Sequence, residues 1–534
     1  MDQQAIIEKI INQKTALGIE LGSTRIKAVL VTDDFQTVAS GDYIWENELD
    51  HNIWTYPLTK VWDGIQTSYA KLAAEVQNHY HIKLTNIGSI GISAMMHGYL
   101  AFDKDGELLV PFRTWRNNMT GEAAKKLTEL FQFNIPERWS IAHLYQAILN
   151  HEEHVKELAF FTTLSGYVTW QLTGEKTTGI GDASGIFPID EATHNYNQAM
   201  LQQFQELPEV ATFDWEISSL LPKVRLAGQS AGHLNEAGAH LIDPSGQLES
   251  GSLVAPSEGD AGTGMVATNA VRKRTGNISV GTSAFSMVVL DQEMNQVHRD
   301  IDMVTTPDGV AVAMVHTNNC SSDINAWVEL FNQFARAIGV TLKPQELYEK
   351  LFDASLRGEI DGGGLVNFAY LSGENITRVQ EGRPMLVRKP DSHLTLANLF
   401  KVQLYSAFAP LKIGMDILLR EEHIKTDVLI AQGGLFKTPV VAQQVLADAL
   451  NTPITVMSNA SEGGAWGMAV LALYALNQRN KDLADYLDQE VFVKAESYTL
   501  CPEPESVRGY EKFIDHYKEA MPAELAAGQV MELN

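Results

Sequence analysis

The sequence has few cysteines, no excess of basic residues and no hydrophobic run long enough to cross a bilayer. Only Cys320 and Cys501 occur in 534 residues, so we expect no disulfide framework and predict a reducing, cytoplasmic location. The 40 Lys and Arg residues are outnumbered by 66 Asp and Glu residues, and the net charge of -26 argues against nucleic acids and anionic membranes as partners. The longest apolar run, 465–476, is shorter than the ~20 residues of a membrane span and predicts a buried helix. The N-terminus lacks a signal-peptide pattern and predicts a short amphipathic helix.

Several nucleotide and metal motifs are also missing. The nearest match to a P-loop, GGLFKT at 433–438, lacks the glycine before the lysine. GDAGTG at 259–264 lacks the spacing of a dinucleotide fingerprint. HEEH at 151–154 lacks the spacing of a zinc protease site and is typical of a solvated helix face. The sequence therefore disfavours P-loop kinases, Rossmann dehydrogenases and zinc proteases.

The chain is long enough for at least two domains, because single cores stop growing at about 250–300 residues. Apolar strand-like runs at 87–94 and 428–431 alternate with helical patterns at 121–130, 143–158 and 396–419. This alternation predicts an α/β protein with mostly parallel sheets.

Two segments, 19–38 and 278–297, repeat each other without a gap. In both, an apolar strand leads through a glycine and two hydroxyl residues into a second strand, which predicts a hairpin. Gly22 aligns with Gly281, and such turns bring backbone N–H groups and hydroxyls close to phosphate oxygens. The repeat predicts duplicated lobes whose two turns hold a triphosphate. The predicted domains are an N-terminal lobe over 1–268, a C-terminal lobe over 269–480 and a helical extension over 481–534.

Further motifs follow in a fixed order: LTGE at 172–175, GDASG at 181–185, YLSGE at 370–374, AQGGLFKTPVVAQQVLADALNTPI at 431–454 and SEGGAWGMAVLA at 461–472. Together with the two hairpins they resemble the FGGY family of carbohydrate kinases, and the resemblance covers roughly residues 17–476. It implies two actin-like (ribonuclease H-like) lobes with a central cleft, built from duplicated mixed sheets flanked by helices. It also implies ATP-dependent phosphorylation of a sugar hydroxyl.

The resemblance implies nucleotide-binding residues in both predicted lobes. The hairpin turns look like the two phosphate-binding segments, and 431–454 looks like the adenosine segment. Lys27 would neutralise phosphate charge, although a solvent-facing strand residue is the alternative. The implied nucleotide contacts are Ser23, Thr24, Lys27, Thr282, Ser283, Gly433, Gly434 and Lys437.

Asp260 is the candidate catalytic base. It follows a strand-like run at 253–255 and lies in the glycine-rich turn PSEGDAGTG, where a carboxylate has room to accept a proton from an attacking hydroxyl. The alternative from position alone is a helix-capping aspartate. The family motif favours catalysis, because its general base is this aspartate.

Glu20 is the candidate Mg²⁺ residue. The family usually has an aspartate before the first turn, and the longer glutamate would reach a metal-bound water. We expect ATP and Mg²⁺ as cofactors, since phosphoryl transfer depends on positioning and charge neutralisation.

The sugar-binding candidates are Met96, His97, Trp115 and Asp260. Met96-His97-Gly98 and Trp115 resemble stretches of the xylulokinase-like branch, whereas 116–118 (Arg-Asn-Asn) departs from it. Met96 and Trp115 would face sugar C–H groups, and His97 would hydrogen-bond hydroxyls. For the tryptophans at 45, 54 and 62, core packing is the default prediction.

The combined reading is an ATP-dependent ketopentose kinase. The departures at Glu20 and 116–118 lead us to expect L-ribulose as substrate, with D-xylulose as the alternative and gluconate or glycerol behind them. An actin-like or chaperone-like ATPase is the hypothesis from another class. The expected partners are the sugar and MgATP, and the sequence neither requires nor excludes a homodimer.

Overall fold

The structure is a computed structural model that describes residues 3–457, 463–477 and 481–530. The chain forms two units, and each is built from discontinuous segments. Unit 1 comprises residues 1–271, 302–312 and 461–494, and unit 2 comprises residues 272–301, 313–460 and 495–534.

Helices occur throughout both units. The described helices are α1 (Gln3–Ile11), α2 (Leu58–Tyr80), α3 (Gly121–Phe131), α4 (Ser140–Leu149), α5 (Leu164–Thr173), α6 (Ile180–Ala183), α7 (Gln198–Gln205), α8 (Ile217–Leu220), α9 (Glu236–Ile242), α10 (Asp260–Ala267), α11 (Ser322–Ala337), α12 (Pro344–Ser355), α13 (Leu396–Asp416), α14 (Val441–Leu450), α15 (Gly463–Asn477), α16 (Leu483–Tyr486) and α17 (Pro504–Val530).

Strands alternate with these helices along the chain. The described strands are β1 (Thr15–Leu21), β2 (Arg25–Thr32), β3 (Thr37–Ile44), β4 (Glu48–Asp50), β5 (Ile53–Thr55), β6 (Ser89–Ala94), β7 (Leu100–Phe102), β8 (Phe160–Thr162), β9 (Thr177–Gly179), β10 (Ile189–Asp190), β11 (Asn195–Tyr196), β12 (Lys223–Arg225), β13 (Leu253–Val254), β14 (Glu258–Gly259), β15 (Thr275–Val280), β16 (Ala284–Val289), β17 (Ile301–Thr305), β18 (Ala311–Thr317), β19 (Leu365–Phe368), β20 (Met385–Arg388), β21 (Val428–Gly433), β22 (Ile454–Met457) and β23 (Ser497–Leu500).

The main sheet of unit 1 has the order β13-β6-β1-β2-β3, and β14 also pairs with β6. β1 is antiparallel to β2 and parallel to β6. Its sequence TALGIEL is almost entirely buried because β1 lies at the centre of the sheet. Gly18 lets α15 approach β1 closely, since a Cβ at this position would overlap the carbonyl oxygen of Ala465. α15 is therefore part of the core behind the sheet of unit 1.

The sheet of unit 2 repeats this arrangement. Its strands follow the order β18-β16-β15-β21-β22-β23. β15 is antiparallel to β16 and parallel to β21, as β1 is to β2 and β6. The predicted hairpin repeat is confirmed, and so is the prediction of an α/β fold with duplicated mixed sheets flanked by helices.

The units differ from the contiguous domains expected from the sequence. The segment 463–477 (α15) was expected in the C-terminal lobe but belongs to unit 1, and the expected extension 481–534 is divided between the units. Its first part contains α16, and its second part adds β23 antiparallel to β22 before α17. The extension is thus partly a strand and an integral part of both units.

Two local predictions are confirmed by the elements. The N-terminal helix is α1, and the apolar run 465–476 lies in α15, most of whose side chains are buried. Among the residues that the structure describes, one segment, Leu396–Glu421, is long and apolar enough to cross a membrane, but 78% of its apolar window is buried. It is therefore a core helix of unit 2.

Candidate active site

Asp260 is the first residue of α10, directly after β14. β14 pairs in parallel with the end of β6, with Gly259 opposite Ala94. The Asp260 Oδ1 accepts hydrogen bonds from the backbone N–H groups of Met96, at 3.2 Å, and Ala261, at 3.0 Å. A glycine is needed at position 259, because a Cβ there would come within 2.8 Å of the Met96 side chain. The structure thus brings the candidate base next to one of the candidate sugar residues.

The electrostatic surroundings of Asp260 raise its pKa to about 6. The side chain reaches solvent, but the surrounding protein atoms remove part of its hydration shell. This desolvation is the largest cause of the raised pKa. The negative charges of Glu20 and, more weakly, Asp182 act in the same direction, whereas the hydrogen bonds from Met96 and Ala261 oppose it. A carboxylate with this pKa is ionised at neutral pH and still basic enough to accept a proton.

Glu20 lies on β1, between Lys27 on β2 and Ser93 on β6. Its Oε2 accepts a hydrogen bond of 3.1 Å from the backbone N–H of Ala465, in the first turn of α15. Burial raises the pKa of Glu20, and the Ala465 hydrogen bond and the Lys27 charge oppose that rise. The side chain is therefore held at a helix N-terminus, with its charge directed towards the same region as Asp260.

Within the described ranges, no group of three or more His, Cys, Asp or Glu side chains forms a metal cluster. Mg²⁺ in phosphoryl-transfer sites usually needs only one or two carboxylates, because substrate phosphates and waters complete its shell. Glu20 satisfies that requirement, and a divalent cation would offset the cost of burying its negative charge. The residues present fit a Mg²⁺ that arrives with the nucleotide.

The candidate sugar residues differ in exposure. His97 is buried, adopts a φ of 72° and stacks on Trp139 at 6.3 Å between ring centroids. Burial and the nearby Arg138 charge hold the pKa of His97 well below its usual range, so the ring is neutral. Met96 is also buried, whereas Trp115 is 41% exposed. Trp115 is followed by Arg116 and Asn117, and we call residues 114–117 the sugar loop.

The nucleotide candidates of unit 1 lie in and after the β1–β2 turn. We call residues 22–24 the phosphate turn; the side chains of Ser23 and Thr24 are exposed there. Lys27 lies opposite Glu20 in the strand pairing. The arrangement leaves the two hydroxyls accessible to a ligand.

In unit 2, the second predicted turn and the adenosine segment are neighbours. β15 ends at Val280, which pairs with Gly433 at the end of β21, so the turn carrying Thr282 and Ser283 begins beside Gly433. Gly433 has a φ of 130°, and a Cβ there would overlap the Val280 backbone. Gly434 and Lys437 follow in a short 3₁₀ turn. The strand pairing thus brings together the nucleotide candidates that the sequence placed about 150 residues apart.

A buried carboxyl pair beside the site was not predicted. The Asp182 Oδ2 accepts hydrogen bonds from the hydroxyls of Ser165, at 2.6 Å, of Thr178, at 3.1 Å, and of Thr163. The backbone N–H of Asp182 in turn donates to Glu258 at 3.1 Å. Burial raises the pKa of both carboxyls. The only sequence signals were GDASG, read as a family motif, and an acidic residue two positions before Asp260.

The duplicated sheets fit both classes considered from the sequence, the sugar kinases and the actin-like ATPases, and comparison with known families decides between them. The profile of the FGGY family of carbohydrate kinases matches with its N-terminal domain over residues 15–244 and with its C-terminal domain over residues 276–476. The chain belongs to this family. It is accordingly a sugar phosphotransferase that uses ATP, and the predictions of family and enzyme class are confirmed.

Relatives match most of the chain. A xylulose kinase of Haemophilus influenzae is 21% identical over 94% of this chain and 98% of its own length. Solved structures of a xylulose kinase and a gluconate kinase, both from Lactobacillus acidophilus, each have a TM-score of 0.76 at 19% identity and cover 96% of this chain and 99% of their own. The expectation of L-ribulose finds no support among these names, and the alternative, D-xylulose, fits better.

Proposed function

We propose that this kinase phosphorylates a ketopentose and that D-xylulose is its first candidate substrate. The observation that carries the proposal is the position of Asp260, hydrogen-bonded to Met96 and with its pKa raised to about 6. The full-length relative named a xylulose kinase supports the choice of sugar. L-ribulose is the second candidate, and gluconate and glycerol follow. We also propose a cytoplasmic location, where ATP is supplied.

The proposed step begins with a sugar hydroxyl beside Asp260. The carboxylate accepts the hydroxyl proton as the oxygen attacks the γ-phosphorus of ATP, the bond between the γ-phosphorus and the β–γ bridging oxygen breaks, and ADP leaves. Bound Mg²⁺ would neutralise phosphate charge, and Glu20 is the residue of this chain that we propose to hold it through water. His97 is neutral, so one of its ring nitrogens can form a hydrogen bond with a sugar hydroxyl.

We assign nucleotide binding to the exposed residues of both turns. Ser23 and Thr24 would donate to phosphate oxygens, and Lys27 would add positive charge. In unit 2, Thr282, Ser283, Gly433, Gly434 and Lys437 are the proposed contacts. Met96 and Trp115 are proposed to face the sugar carbons.

The substrate is tested by ADP release over D-xylulose, L-ribulose, gluconate and glycerol, with a reaction lacking sugar as the reference. We expect D-xylulose to give the largest kcat/KM. A higher kcat/KM with L-ribulose would reverse the order of the two pentuloses. Equal rates with and without every sugar would refute the assignment of substrate.

A further inference from the structure

One stretch of chain fastens both the phosphate turn and the sugar loop. This stretch, residues 45–56, runs from the end of β3 through the β4–β5 hairpin to the start of α2, and we call it the brace. All three segments belong to unit 1.

The brace holds the phosphate turn by its backbone carbonyls. The Trp45 indole N–H donates to the Gly22 carbonyl at 2.7 Å, and the Tyr56 hydroxyl donates to the Ser23 carbonyl at 2.7 Å. The two rings lie 4.3 Å apart between centroids, and Tyr56 is fully buried. Both donors occupy carbonyl groups only, which leaves the hydroxyls of Ser23 and Thr24 available to a ligand, whereas the Gly22 N–H donates to the Arg25 carbonyl at 2.9 Å.

The brace holds the sugar loop through Trp54. The backbone N–H of Trp54 donates to Asn117 Oδ1 at 2.9 Å, and the Asn117 amide donates back to the Trp54 carbonyl at 2.8 Å. The Thr114 hydroxyl donates to the same carbonyl at 3.0 Å. The Arg116 guanidinium lies 4.1 Å from the centroid of the Trp54 ring. Arg116 and Asn117, two of the three residues that depart from the family motif, are thus both engaged with the brace.

The two attachments are close to each other along the brace. Trp54 and Tyr56 are two residues apart, and the Arg116 Nη1 also donates to Asn47 Oδ1 at 3.0 Å. Burial raises the pKa of Tyr56, while the Arg116 charge and a hydrogen bond from Asn47 oppose that rise. Arg116 of the sugar loop is therefore within electrostatic reach of the hydroxyl that holds the phosphate turn.

We propose that Trp54, Tyr56 and Asn117 are positioning residues that couple the sugar loop to the phosphate turn. This inference rests on the proposed roles of the turn and the loop. Movement of the loop must be transmitted to Trp54 or break these part-buried hydrogen bonds, and leaving such polar groups unsatisfied is unfavourable. Because the sugar loop and the phosphate turn are both attached to the brace, a change in the sugar loop should alter nucleotide affinity even without sugar.

The test measures nucleotide binding alone. The dissociation constant of the Mg²⁺ complex of AMP-PNP, a non-hydrolysable ATP analogue, is determined by titration calorimetry with no sugar present. Tyr56→Phe removes the hydrogen bond to Ser23 and should weaken binding by about 3- to 10-fold, the equivalent of one hydrogen bond. Asn117→Asp keeps the acceptor for Trp54 but loses the amide donor, and it should weaken binding by at least 2- to 3-fold. The double variant should bind the nucleotide about as tightly as the more weakly binding single variant. The two effects should not add, because both substitutions act through the brace.

Tyr69→Phe is the matched control. The Tyr69 hydroxyl also donates to a backbone carbonyl, that of Leu84 at 3.4 Å, and Tyr69 is buried in the same core as Tyr56. It should lower the melting temperature while leaving the nucleotide dissociation constant unchanged. An equal loss of nucleotide affinity in Tyr69→Phe and Tyr56→Phe would mean that the effect comes from general destabilisation of unit 1 and not from the brace.

Unchanged nucleotide affinity in folded Asn117→Asp would overturn the coupling. If that variant does not fold, Arg116→Gln replaces it, because Arg116 is exposed and its loss breaks the contacts with Trp54 and Asn47; unchanged affinity there also overturns the coupling. A failure of the proposed function is distinguishable, because no sugar enters this assay. Turnover of D-xylulose together with unaltered nucleotide binding in the variants contradicts the brace alone.

Discussion

The backbone N–H of Met96 donates a hydrogen bond of 3.2 Å to the Asp260 carboxylate. Met96 follows β6 and Asp260 follows β14, and the two strands are parallel neighbours, so both residues emerge at the same edge of the unit 1 sheet. Carboxyl ends of adjacent strands are common places for ligand sites in α/β proteins. The hydrogen bond fixes the carboxylate beside the candidate sugar residues.

The pH dependence of turnover should report the ionisation of Asp260. A base must be deprotonated to act, so kcat/KM should rise with pH through about 6 and level off above it. Glu20→Gln removes a negative charge that raises this pKa, and the midpoint should therefore move to lower pH. The midpoint is measured by steady-state kinetics between pH 5 and 8. An unchanged midpoint in Glu20→Gln would mean that the Glu20 charge does not affect the pKa of Asp260.

Asp260→Asn should stabilise the fold at neutral pH. The folded-state pKa of Asp260 is raised from 3.8 to about 6, so ionisation in the folded state is unfavourable, and the carboxylate lowers stability increasingly as pH rises from about 4 to 6. Its solvent contact screens the effect, and we expect a gain of at most about 1–2 kcal/mol. Thermal melting should show a higher midpoint for the variant at pH 8 and little difference at pH 4. A lower midpoint at pH 8 would contradict the electrostatic cost.

His97→Asn should raise the sugar KM about 10-fold, the equivalent of one or two lost buried contacts. Because burial and Arg138 hold the pKa of His97 well below its usual range, this residue should add no titration step to kcat/KM between pH 6 and 8. Steady-state kinetics of wild type and variant across this range test both points. An unchanged sugar KM would place His97 outside the sugar site.

Gly433→Ala should lower the stability of unit 2, whereas Gly434→Ala should leave it unchanged. Gly433 has a φ of 130° with the Val280 backbone against it, but the space around Gly434 is open. Forcing a side chain into the first position costs on the order of 1–3 kcal/mol from backbone strain alone. Chemical denaturation should show a clear loss of stability for Gly433→Ala and near wild-type stability for Gly434→Ala. Equal losses would mean that the pairing of β15 and β21 tolerates a side chain.

Local patterns were sufficient for part of the fold and of the site. The hairpin around Gly22 and its copy around Gly281 could be predicted because strand, turn and strand are adjacent in sequence. Asp260 could be proposed because its glycine-rich turn resembles a family motif. Its raised pKa could not, since that depends first on desolvation by the folded protein and then on the charge of Glu20, which is 240 positions away.

Long-range contacts account for what the sequence did not predict. The hydrogen bond from Ala465 to Glu20 joins residues 445 positions apart, and no local pattern assigns α15 to the sheet of unit 1. The stacking of Trp139 on His97 likewise depends on the tertiary fold. Trp45 is 4% exposed, as predicted for a core residue, but its indole N–H bonds to the phosphate turn, and Trp54 and Trp62 are only half-buried.

The most direct test of the central claim compares wild type with Asp260→Asn in phosphorylation of D-xylulose, measuring sugar phosphate and ADP together. We predict equal amounts of the two products with wild type, and a fall in kcat of about 10²- to 10⁴-fold in the variant, the usual contribution of a general base, with sugar KM changed less than kcat. Near wild-type kcat in Asp260→Asn would contradict the assignment of this carboxylate as the base.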